Sequence, residues 1–66
     1  MEELEKLKRL LQHWMEHNNK HVQLYRDWAE KASPLSNRKL PEILRRLSNE
    51  TEKLNRLFEE AIKMIG

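Results

Sequence analysis

Sixty-six residues allow one domain, and a chain this short buries a small share of its surface, so help from a disulfide, a metal or self-association is expected. The absence of cysteine removes the disulfide and every thiolate metal site, which leaves histidine and carboxylate ligands or a second copy of the chain. Charged residues make up 36% of the chain but leave a formal net charge of only +2, so the charges are mixed in sign, as on a solvated helical surface.

The small positive excess sits around Arg38, Lys39, Arg45 and Arg46, without interleaved aromatic residues, and nucleic acid is not expected as a partner. Apolar runs fall short of a membrane span, and Met1-Glu2-Glu3-Leu4-Glu5 is acidic where a secretory signal is basic and then apolar. A cytoplasmic protein with no membrane partner is the expectation.

From Glu2 to Ala32 there is neither glycine nor proline. Leu4, Leu7, Leu11, Trp14, Tyr25, Trp28 and Ala32 recur at alternating steps of three and four, the a/d pattern of a heptad. Carried through the gap, the count puts Asn18 at an a position and His21 at a d position, with Leu10, His17 and Leu24 at g. Ser33-Pro34 closes this helix, because proline disfavours helical geometry in the residue before it and has no N–H to donate. A loop of about 33–40 follows, in which Leu35 and Leu40 are expected to fold back over the end of the bundle, and Pro41 suits a first helical turn.

The second helix is expected over about 41–65, with Leu40, Leu44, Leu47, Thr51, Leu54, Phe58, Ala61 and Ile65 repeating the same steps and Gly66 as a C-terminal stop. A short connection makes the two helices antiparallel neighbours. Symmetry about Ser36 then pairs Trp28 with Leu44, Tyr25 with Leu47, His21 with Thr51, Asn18 with Leu54, Trp14 with Phe58, Leu11 with Ala61 and Leu7 with Ile65. Leu10, Leu24, Ile43, Leu57 and Met64 widen the apolar stripe to three positions per heptad, as helices of a bundle require. The expected architecture is therefore all-α: one antiparallel helical hairpin over residues 1–66 that forms a homodimeric four-helix bundle with twofold symmetry.

The unusual chemistry is concentrated in helix 1. His13, His17 and His21 follow one another at intervals of four, with Trp14 directly after the first and Trp28 beyond the last. Histidines at i and i+4 share a helix face and can share one ion, whereas the outer two of the three stand about 12 Å apart along the axis. The candidate ligands are His17 with His21, or His13 with His17, completed by Glu50 from helix 2 or by the same pair from a second chain. Nickel or zinc fits such a set. In the alternative reading the layer is metal-free, and His17, Asn18 and His21 fix register and oligomeric state through hydrogen bonds to Thr51 and Glu50. Catalysis is not expected, for the chain has no His-Glu-x-x-His, no Glu-x-x-His of the di-iron bundles and no glycine-rich phosphate loop.

The run His13-Trp14-Met15-Glu16-His17-Asn18-Asn19-Lys20-His21, followed by Tyr25-Arg26-Asp27-Trp28-Ala29-Glu30-Lys31-Ala32, resembles a small helical-hairpin domain of archaea and anaerobic bacteria. In that domain a His-Trp-x-Glu-His-Asn-x-x-His run precedes a Trp-Ala-x-Lys-Ala helix end. It is sometimes associated with CooT-like nickel-binding proteins. The resemblance implies nickel handling and carries over His13, His17 and His21, the positions that match. Helix 2 is richer in arginine and asparagine than that pattern, and Glu50 draws no support from it.

Overall fold

The computed structural model describes residues 2–34 and 37–66. Three helices, α1 (Glu2–Ala32), α2 (Lys39–Lys53) and α3 (Asn55–Ile65), form the two antiparallel arms of a hairpin, α2 and α3 together making the second arm. Leu35 lies outside the described residues, and with it the expectation that it folds over the bundle end.

Acidic Glu2, Glu3 and Glu5 in the first turn of α1 and Lys31 in its last complement the helix dipole. At the start of α2 the Asn37 side chain acts as a cap: its Oδ1 accepts the backbone N–H of Lys39 at 3.1 Å and of Leu40 at 3.2 Å. Pro41 follows in the first turn, where its missing N–H costs nothing, and is buried. Gly66 ends the second arm with a φ of +107°, and its N–H bonds to the Ile62 carbonyl. The open end is tied by Lys8, whose Nζ donates to the Gly66 carbonyl at 2.8 Å.

Between the arms the structure rotates both helices away from the expected a/d pairing. The residues turned inward are Leu11, Met15, Asn18, Val22, Tyr25, Ala29 and Ala32 on α1, and Pro41, Leu44, Ser48, Thr51, Asn55, Phe58, Ile62 and Ile65 on the second arm. These are the a positions of the expected heptad together with e instead of d. The cause is size. Ala29 and Ser48 are essentially inaccessible, and Ser48 is close enough to α1 for its hydroxyl to donate to the Val22 carbonyl at 2.8 Å. Backbones approach that closely only where side chains are small, so the bulky d residues are turned out. Trp14 and Trp28, expected in the core, are 45% and 51% exposed.

The result is a single layer, 52 × 14 × 10 Å, with a radius of gyration of 15.5 Å against about 11 Å for a compact chain of this length. Val22 and Ala29 are the buried hydrophobic side chains besides Pro41. One face of the layer stays apolar and open, formed by the d and g positions of both arms: Leu7, Leu10, Trp14, Leu24 and Trp28 from α1, and Leu40, Ile43, Leu47, Leu54, Leu57 and Met64 from α2, α3 and the turn between them. No helix among the described residues is long and apolar enough to cross a membrane.

Candidate functional site: a histidine ladder on the open face

Side chains four residues apart on a helix stack one above the other with a drift of about 40° per step, because four residues overshoot the 3.6-residue turn. His13, His17, His21 and Tyr25 make such a ladder. The centroids of His13 and His17 are 5.6 Å apart with the rings nearly perpendicular, at 79°. His17 and His21 are also 5.6 Å apart but closer to parallel, at 29°. His21 and Tyr25 follow at 5.8 Å, and the Tyr25 hydroxyl lies 3.3 Å from His21 Nδ1. The drift carries the ladder from His13 at the solvent side, across the open face at His17 and His21, to Tyr25 in the seam.

All three histidines are exposed in the single hairpin. His21 was expected in the seam opposite Thr51, and it is Asn18 that occupies this place. Asn18 Nδ2 donates to the Thr51 carbonyl at 2.8 Å and to Asn55 Oδ1 at 2.9 Å, and Asn55 Nδ2 donates to Asn19 Oδ1 at 2.6 Å. The Thr51 carbonyl also accepts the Leu54 N–H at 3.2 Å, a tightened turn that separates α2 from α3. An amide side chain entering a helical ladder in this way is a recognised cause of a local break. Asn55 and Ser48 were not among the expected polar-layer residues. Both lie in the e column of the second arm, Pro41, Ser48, Asn55 and Ile62, whose small and polar members are the signal that points to them.

Glu50 is exposed on the second arm, with Oε1 3.2 Å from Lys53 Nζ one turn on. Among the described residues no group of three or more histidine or carboxylate side chains is placed to hold a metal ion. One chain therefore brings two imidazoles together at a time, fewer than the three or four protein ligands that zinc takes in known sites.

The chain matches, over residues 7–65, the family described as a domain of unknown function (DUF8180). It belongs to that family. A relative named "Uncharacterized protein" from Archaeoglobus fulgidus is 32% identical over 66 residues, covering 96% of this chain and all of the relative. No solved structure matches the chain. The expected kinship with a small domain found in archaea is thereby borne out, and the match spans both arms of the hairpin.

Proposed function

We propose that this domain is a non-enzymatic self-association module: two hairpins close their open faces on one another as a twofold-symmetric four-helix bundle. The observation that carries this reading is the open face itself. The chain exposes 5667 Å², roughly 1,000 Å² more than a compact monomer of its mass, while a standard interface takes about 800 Å² from each partner. A second copy is the occupant favoured by the spacing of that face. With a dyad crossing α1 at the level of Asn19, Leu10 meets the partner's Trp28, Trp14 meets the partner's Leu24, and His17 meets the partner's His21. At the level of Glu52 in the second arm the same operation brings Leu47 to the partner's Leu57, Ile43 to the partner's Ala61, and Leu40 to the partner's Met64. The two levels coincide in the hairpin, since Asn18 and Asn19 bond to Thr51 and Asn55. These pairs are apolar on both sides and the histidines meet each other, as an isologous contact demands, while Leu54 meets the partner's Glu50 beside the dyad and Leu7 reaches the partner's Lys31 at the rim.

A metal held by these histidines is the second reading of the same layer, and it requires the second chain because one hairpin supplies two imidazoles at ligand spacing. The resemblance to hairpins that accompany CooT-like nickel-binding proteins belongs to this reading and makes nickel, beside zinc, an ion to offer. No reaction, membrane or nucleic acid enters the proposal.

Light scattering after size exclusion, from low to high micromolar chain, tests the module. The expected mass is twice the 8.1 kDa of the chain. A mass of one chain throughout that range overturns the proposal.

A further inference from the structure

Closing two open faces removes water from four imidazoles at the centre of an apolar interface, and each ring nitrogen then needs a partner at a cost of about 1–3 kcal/mol when left without one. The geometry within one chain is already near that of a chelate. Two imidazoles bound to one tetrahedral ion through bonds of about 2.0–2.1 Å hold their ring centroids roughly 5 Å apart; those of His17 and His21 are 5.6 Å apart. Tyr25 stands behind the pair. When His21 carries its proton on Nδ1 and donates it to the Tyr25 oxygen, 3.3 Å away, Nε2 keeps its lone pair for a metal, the arrangement that outer partners enforce on ligating histidines.

We infer that His17 and His21 of one chain and the same two residues of its partner converge on a single divalent transition-metal ion with four imidazole ligands. This rests on the self-association reading above, since the dyad at Asn19 is what brings the two pairs together. Imidazole selects ions of the zinc and nickel class over magnesium and calcium, which take oxygen. Four neutral imidazoles leave the ion's double positive charge uncompensated. Glu50, at a g position of the open face between Leu47 and Leu54, lies near the dyad level, and its surface pair with Lys53 is of a kind that contributes little, so one Glu50 from each chain can turn inward to neutralise it. His13 is excluded from the set by the drift of the ladder, which leaves it on the solvent side of His17.

The test is native mass spectrometry and calorimetric titration of the whole chain with zinc chloride and nickel chloride, with magnesium chloride as the control. The expected result is one zinc or nickel ion per two chains and no magnesium. Substitution His17→Ala or His21→Ala weakens binding by more than about 100-fold, above the range for loss of an outer partner alone, while His13→Ala leaves it unchanged. Both residues are exposed in the single hairpin, and circular dichroism verifies that helix content survives the substitutions. A dimer that takes no ion at tens of micromolar zinc, or an ion retained when His17→Ala and His21→Ala are combined in one chain, overturns the shared site and leaves the bundle standing. A chain that stays monomeric with and without metal overturns both.

Discussion

The seam between the arms and the open face of the same hairpin are built on opposite principles. In the seam small residues mark the closest approach and the polar groups are paired: Ala29 and Ser48 let the arms come together, and Asn18, Asn19, Asn55 and Ser48 bond across it. No buried side-chain nitrogen or oxygen among the described residues lacks a partner. On the open face both tryptophans and most of the leucines stand exposed around a ladder of histidines. Small residues set the distance and register of the two arms, while both tryptophans and most of the leucines, a large share of the hydrophobic driving force, face outside the chain. The hairpin is thus specified internally by shape and hydrogen bonds, and its stability is expected to come from association.

Removing a large side chain from the open face is the most severe way to break that contrast. Trp14→Ala is expected to cost about 3–5 kcal/mol per chain, the range for deleting a buried aromatic side chain, if the proposed bundle forms and buries Trp14 against the partner's Leu24. In the isolated hairpin the same residue is 45% exposed and its loss would cost little. Urea unfolding at two protein concentrations distinguishes the two. A large loss, accompanied by a shift of the dimer toward single chains, supports the open face as the interface. A change near zero with no dependence on concentration refutes it.

Asn18→Ala addresses the seam and should be milder. It leaves Asn55 Oδ1 without the Asn18 amide and the Thr51 carbonyl with the Leu54 N–H alone, so a loss of about 1–3 kcal/mol is expected from partly buried polar groups. The oligomeric mass should stay the same, because no large side chain of the open face is touched. If Asn18→Ala changed the mass while Trp14→Ala did not, the roles assigned to the two surfaces would be reversed.

How much of this could be read from the residues follows the same division. The hairpin itself was legible: an uninterrupted stretch from Glu2 to Ala32, a proline after it, and a second periodic stretch that pairs with the first. The rotation of the helices was not, because hydrophobicity alone ranks Trp14 and Trp28 above Ala29 and Ser48 as core. Packing two helices tightly depends on side-chain volume as well, and the small e column prevailed over the large d column. The site divided in the same way. That His17 and His21 are neighbours followed from their spacing, while Asn18 taking the seam position expected of His21 depended on the rotation. The widened stripe at Leu10, Leu24, Ile43, Leu57 and Met64 was the one sequence feature that demanded a surface beyond the a/d seam, and the structure leaves those side chains on the open face.

The smallest effect is expected where the seam meets solvent on the side away from the open face. Arg26 Nη2 lies 3.6 Å from Glu52 Oε2, with the two side chains 46% and 58% exposed. At that exposure water screens most of the attraction, and holding two long side chains in one arrangement offsets part of what remains, so Arg26→Ala should cost no more than about 0.5 kcal/mol. Most of that loss should vanish in molar salt, where the Debye length falls to about 3 Å. Urea titrations of the wild type and the variant at low and high salt provide the measurement. A loss above 2 kcal/mol that persists in salt would mean that Arg26 is desolvated in the assembly. The interface would then extend around α1 beyond the d and g positions, and the division between a closed seam and one open face would need redrawing.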